Sequence, residues 1–491
     1  MKPKVIVAFD LGTTGNRVMA FTREGQVAAR SYYEFPQIFP QAGWVEHDPL
    51  AILETALQAL GDVTGVVGPE NIESIGITNQ RETTILWDRD TGQPVYNAIV
   101  WQDRRTEKMC RELASYRDLV KQKTGLFIDP YFSATKISWL ITQVPGLKEK
   151  IKTGKILFGT PDTWLLWNLT GGKIHATDPS NASRTLLFDI NHCRFDQELL
   201  RIFNIPPGIL PEVKDSDAVF GLVDKKFSGR EIPITGILGD QQAALLAQCG
   251  WDKDRAKVTY GTGIFAMANT LQELCRSERL VTTVAWKIGG EVNYALEGSI
   301  FIGGAALQWL RDGLKIIDRA SDSEQLAAAL KDNEGIYFVP ALQGLGAPYW
   351  DPQARGMIIG LTRKSTQANI VRAALEAMAF QVREVVAEMQ QARQQKLAVL
   401  RVDGGAAANN FLLQFQADIA RIAIERTTMN EITALGAAGV SGLSAKFWSK
   451  EEFKKIVIKD KLFTPQMDEE IAEGYYLKWK EAVQRSLRWE Q

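Results

Sequence analysis

Short apolar runs broken by Gly-rich turns dominate the first thirty residues. Val5-Ile6-Val7-Ala8-Phe9 stops at Asp10-Leu11-Gly12-Thr13-Thr14-Gly15-Asn16 and resumes at Arg17-Val18-Met19-Ala20-Phe21. It turns again at Glu24-Gly25 before Gln26-Val27-Ala28. This alternation predicts an antiparallel meander built on tight turns. The arrangement returns near the middle of the chain, where Lys257-Val258-Thr259-Tyr260 runs through Gly261-Thr262-Gly263 into Ile264-Phe265-Ala266-Met267-Ala268. Two related domains, 1–248 and 249–491, are the reading that follows. Two unrelated hairpins would give the same local pattern.

Helical spacing is clearest from Gln367 to Gln394. Ile370, Val371, Ala374, Leu375, Met378, Ala379 and Val382 fall on one face, and Arg372, Glu376 and Arg383 on the other. A Gly/Ala-rich helix is expected from Leu435 to Phe447, and one of alternating charge from Asp468 to Trp489. Lys450 to Lys461 reads as a solvated surface. Strands and helices mixed in both halves predict α/β layers, with mixed sheets flanked by helices.

At 491 residues, 45% apolar and 23% charged, the composition is that of a globular protein of several domains. Lys and Arg number 57 against 58 Asp and Glu, for a net charge of -1, so no global field attracts nucleic acid or an anionic membrane. No apolar run approaches the roughly 18 residues of a bilayer span, and no integral membrane segment is expected. Cys110, Cys193, Cys249 and Cys275 are widely spaced, which suits reduced thiols and a cytoplasmic location. With three histidines and no H-E-x-x-H, chemistry is expected to run on carboxylates.

The turn Asp10 to Arg17 can form a nest of backbone N–H groups, with Thr13 and Thr14 hydroxyls and the Arg17 charge added, and this combination suits polyphosphate. Asp10 ends a strand where a carboxylate can hold magnesium. Gly261-Thr262-Gly263 offers a second nest; an ordinary hairpin would look alike in both places. Gly236-Ile237-Leu238-Gly239-Asp240 is a strand ending in a carboxylate before a helix, placed either to accept a proton or to cap that helix. Arg81-Glu82 interrupts two strands, either as a fork for vicinal hydroxyls or as a solvated ion pair. Trp101 offers an aromatic face beside charge. Asp403-Gly404-Gly405 through Asn409 reads as a strand-to-helix turn where a base or ribose can lie on backbone, although a plain turn would look the same. Neither the G-x-x-x-x-G-K-[ST] loop nor the protein-kinase motif set is present.

Together these segments resemble the FGGY family of carbohydrate kinases, and within it the glycerol kinases. The likeness runs through Gly43 to Pro49, Ile77 to Thr84, Tyr96 to Thr106, Ile128 to Lys136, Gly239 to Ala244 and Thr259 to Phe265. Both family signatures are present, from Tyr131 to Gln143 and from Gly356 to Glu376. The resemblance implies a two-domain actin-like ATPase (ribonuclease H-like) fold with a cleft between the domains. It implies ATP and Mg2+ as cofactors, and phosphorylation of glycerol to sn-glycerol 3-phosphate with release of ADP; the alternative is an FGGY kinase for another small polyol or ketose. Homodimers or homotetramers are usual in the family.

On this resemblance Asp240 is the catalytic base, with Arg81, Glu82, Trp101, Tyr131, Gln241 and Phe265 around glycerol. Thr13, Thr14, Gly15, Arg17, Thr262, Gly304, Gln308, Gly405 and Asn409 bind the nucleotide, and Asp10 and Asp240 face the metal. Leu11, Gly15 and Asn16 depart from the family pattern, where Gln, Ser and Ser or Thr are frequent. Lys225 to Arg230 lacks the Gly-rich run and the histidine that serve regulation in some members.

Overall fold

The computed structural model describes residues 2–429, 431–457 and 459–490. Strands Val5–Leu11 (β1), Gly15–Phe21 (β2) and Val27–Glu34 (β3) form the expected antiparallel meander. On its other side β1 pairs in parallel with Ile72–Asn79 (β4), and β4 in parallel with Pro233–Gly239 (β5). The short strand Gly221–Leu222 closes that edge.

The second sheet repeats this plan. Arg255–Tyr260 (β6) is antiparallel to Ile264–Leu271 (β7), and β7 to Glu291–Ile300 (β9), beyond which lies Val281–Ile288 (β8). From its other side β6 pairs in parallel with Val399–Asp403 (β10), and β10 with Ala423–Thr427 (β11). Lys459–Phe463 (β12) forms the far edge. Each sheet therefore has an antiparallel meander on one flank and parallel strands on the other, the α/β architecture with mixed sheets that the duplicated hairpin suggested.

Helices cover the sheets through apolar stripes. Pro49–Val67 (α1) starts with Asp48 as N-cap and Pro at its first position, and buries Ile52, Ala56, Ala59, Leu60 and Val63 against β2 and β3. Against expectation, α1 is long and apolar enough by length and composition alone to cross a bilayer. Gln367–Arg393 (α4) matches its predicted span, opening with a Thr366/Asn369 capping box.

Asp240–Cys249 (α2) and Ile432–Ser444 (α6) pack on each other where the sheets meet. α2 follows a strand of the first sheet yet lies on β6 and β7; α6 lies on β1, β4 and β5. The contact requires glycine: a Cβ on Gly436 would stand 1.9 Å from the Ala243 carbonyl oxygen. α6 begins and ends three residues earlier than expected, because Phe447 and Trp448 turn back into the core that both sheets share.

Lys450 to Lys461 is not only solvated surface. It forms a capped turn of helix with Phe453 and Val457 buried, then the charged edge of β12. Ile458 within it lies outside the described residues. Glu469–Ser486 (α7), capped by Asp468, docks through Ala472, Trp479, Ala482 and Val483.

Candidate active site

Parallel pairing puts the chemistry at one edge. Asp10 is in register with Thr78, and Thr78 with Leu238, so β1, β4 and β5 end side by side. Asp10, the Gln80-Arg81-Glu82 corner and Asp240 therefore share the C-terminal edge of the first sheet, where open α/β sheets hold ligands. In the second sheet β6 and β10 end together, Thr259 opposite Asp403, and carry Gly261 to Gly263 and Gly404-Gly405.

Arg81 and Glu82 are not a solvated turn. Both are buried, and Glu82 holds a left-handed backbone at φ 60°, a conformation that costs a non-glycine residue of order 1–3 kcal/mol and concentrates at functional sites. Arg81 Nε stands 3.2 Å from Asp240 Oδ1. Its Nη1 donates to Gln242 at 3.1 Å and to Glu297 at 2.6 Å, and Nη2 donates to Glu297 at 3.1 Å. Gly239 makes room, since a Cβ there would meet the Arg81 side chain at 2.8 Å. Arg184 Nε donates to Glu82 Oε1 at 2.6 Å, and its Nη2 to Glu297 at 2.9 Å.

Trp101, Tyr131 and Phe265 gather beside this fork. Trp101 meets Tyr131 edge-on at 5.7 Å and Phe265 at 6.2 Å between centroids. Phe265 comes from β7 of the second sheet, whereas Trp101 and Tyr131 lie in loops of the N-terminal half, so the aromatic wall joins the two halves of the chain. The Trp101 indole Nε1–H donates to Thr13 Oγ1 at 3.0 Å. One ring thus joins the first Gly/Thr loop to the strand that leaves the second.

The remaining predicted residues fall around the two loops. Arg17 stands 3.5 Å from Asp10. Burial pushes the Asp10 carboxyl up to about 6; Arg17 opposes this and Asp240 reinforces it. The Thr262 carbonyl accepts from Gly303 and Ala305 at the head of Ala305–Asp312 (α3), which tethers Gly304 and Gln308 to that loop. Gly404, at φ 89°, faces the Tyr260 carbonyl where a Cβ would come within 2.5 Å. Gly405 follows beside it. Asn409 caps Asn410–Ala420 (α5) through Leu412 N–H and donates to Ser323.

The unusual loop residues have local causes. A Cβ on Gly15 would meet the Tyr33 carbonyl at 2.5 Å and the Tyr32 hydroxyl at 2.7 Å. Asn16 is buried, donating to Ile52 O and Thr55 Oγ1 of α1, away from the loop. In the signature segments, Lys136 is buried and donates to the Tyr131 carbonyl at 2.6 Å, and Glu376 is bound by Arg372 and Asn333. Both act as fasteners.

Arg184, Glu297 and Lys257 have no counterpart among the sequence candidates. The Lys257 Nζ donates to Gln241 Oε1 and, at 3.1 Å, to Thr259 Oγ1. Burial brings its amine down to about 8, against the pull of Asp403, Asp240 and Glu297. Burial would raise the Glu297 carboxyl, but Arg184 and Arg81 hold it at about 2. Lys257 stands between Ala256 and Val258 within β6, and Glu297 follows Ala295 and Leu296 within β9, a charge among apolar neighbours that was the signal for those two; Arg184, after a short helix, carried none.

The model of the FGGY family of carbohydrate kinases matches residues 5–247 with its N-terminal domain and 256–445 with its C-terminal domain. A glycerol kinase of Aquifex aeolicus is 54% identical, covering 99% of both chains, and glycerol kinase 2 of Thermotoga maritima is 52% identical over the same shares. Among solved structures, a Plasmodium falciparum glycerol kinase with ADP superposes with a TM-score of 0.93 at 38% identity, covering 99% of this chain and 98% of that one. A xylulose kinase from Lactobacillus acidophilus superposes at 0.89 with 22% identity over 98% of each, a likeness of fold alone.

Proposed function

The chain belongs to the FGGY family of carbohydrate kinases, and from that premise we propose how it phosphorylates glycerol with ATP, giving sn-glycerol 3-phosphate and ADP. One observation carries the reading: a buried Arg81–Glu82 fork meets Asp240 beside an aromatic wall of Trp101, Tyr131 and Phe265. A three-carbon polyol fits this arrangement, with its carbons on the rings and its hydroxyls on the fork. Identity of 54% to a glycerol kinase over the full length supports glycerol as the substrate.

Phosphoryl transfer demands alignment and charge neutralisation more than covalent work by the protein. Asp240, whose side chain is 29% exposed, orients the terminal hydroxyl and takes its proton as the new P–O bond forms. The loops at Thr13–Gly15 and Gly261–Gly263 hold the phosphates through backbone N–H groups, with Arg17 and Thr262 beside them. Gly304, Gln308, Gly405 and Asn409 line the nucleoside end.

Asp10 and Asp240 are suited to magnesium: burial and the neighbouring carboxylate disfavour the Asp10 charge, which a dication would offset. Among the described residues no three metal-ligating side chains cluster. Asp10 and Asp240 would hold the ion. When bound it would neutralise charge on the phosphates.

The test is coupled detection of ADP from the purified protein with ATP and magnesium, with and without glycerol. Dihydroxyacetone, glyceraldehyde and xylulose serve as comparison substrates. ADP formation dependent on glycerol is the expected result. Equal rates without it, or a preference for xylulose, would defeat the reading.

A further inference from the structure

Two buried side chains stand behind the Arg81–Glu82 fork and use up part of it. Glu297 lies within β9, between Met267 of β7 and Val281 of β8. Arg184 follows the short helix Pro179–Ala182 and packs beneath the rings of Tyr131 and Phe132. Neither is exposed.

Counting donors shows what is left for a substrate. Both Nη1 hydrogens of Arg81 are taken, by Gln242 and Glu297, and its Nε faces Asp240. One Nη2 hydrogen goes to Glu297, and the other has no partner among the described residues. Glu82 Oε1 accepts from Arg184, while no hydrogen bond from the described residues reaches Oε2. Among the described residues Arg81 thus keeps one uncommitted donor hydrogen and Glu82 one uncommitted acceptor oxygen, the two kinds of group that the hydroxyls of a polyol engage.

We infer that Glu297 and Arg184 are positioning residues for substrate recognition: they hold Arg81 and Glu82 in this single presentation without touching substrate. Glu297 belongs to the second sheet, and Arg81 and Glu82 follow β4 of the first. The hydroxyl-binding geometry is thereby tied to how the two sheets are seated. The two arginines keep Glu297 ionised, so the clamp does not lapse near neutral pH. The inference rests on the glycerol reading and adds its supporting residues.

The test compares wild type with Glu297→Gln and Arg184→Lys in steady-state kinetics and in calorimetric binding of ADP. Both variants should raise the glycerol KM at least tenfold while leaving the ATP KM and ADP affinity within about threefold. A merely structural role would lower thermal stability and active fraction with both KM values unchanged, and that result overturns the inference. Should Glu297→Gln fail to fold, judged by lost ADP binding, Arg184→Lys decides alone because it keeps the charge. An unchanged glycerol KM in that variant overturns the inference. An inactive wild type would overturn the glycerol reading itself, whereas an active wild type with indifferent variants removes only the positioning role.

Discussion

Arg81 Nε and Asp240 Oδ1 stand 3.2 Å apart, and the same oxygen accepts from the Gln241 backbone N–H at 2.6 Å. One carboxylate oxygen is thus held by the protein while the other stays available to a hydroxyl. Asp240→Asn keeps the shape and loses the base. Its kcat should fall by roughly 10²–10⁴-fold, the usual worth of general-base assistance, with ATP affinity retained. Near-normal turnover in that variant would remove Asp240 from the proton transfer.

Trp101 contacts Tyr131, Phe265 and Thr13 at once. Trp101→Ala removes the apolar surface offered to the substrate carbons. The glycerol KM should rise by roughly 10–200-fold, the worth of a small apolar contact in a pocket. Trp101→Phe, which retains a ring, should recover most of this. Equal kinetics in the alanine variant would exclude the ring from the substrate wall.

The junction of α2 and α6 leaves no room for a methyl group at Gly436, 1.9 Å from a carbonyl oxygen. Gly436→Ala should lower stability by at least about 2 kcal/mol, since overpacked backbone contacts must separate. Chemical denaturation of the two proteins would measure it. A difference within error would show that the junction yields freely.

His175 is half-buried and edge-on to Trp87, its Nε2–H donating to the Phe158 carbonyl at 2.8 Å. Burial brings its imidazole from 6.5 down to about 4. A depressed pKa contributes stability that is present above 6.5 and is lost as pH falls through the folded value. Between pH 6.5 and 4, wild type should therefore lose up to about 1.4 kcal/mol per pH unit more than His175→Gln. Parallel stability curves for the two proteins would contradict this.

Local pattern made much of the architecture legible. The meanders on either side of Gly12–Gly15 and Gly261–Gly263, and the helix from Gln367, follow from side-chain periods of two and of three to four. These signals need no knowledge of distant residues. Asp240 and Asp10 were legible as strand-end carboxylates for the same reason.

What the polar corner at Arg81-Glu82 does was decided only by folding. Its sequence fits a wet turn equally well; parallel pairing of β4 between β1 and β5 buries it instead. Its partner Glu297 lies 216 residues away, and Arg184 and Lys257 likewise gain meaning only from groups on other segments. The chain's residue order determined which stretches pair, turn and coil, because those preferences act between near neighbours. Tertiary structure alone chose which charges face each other, because burial and Coulomb attraction depend on distance in space.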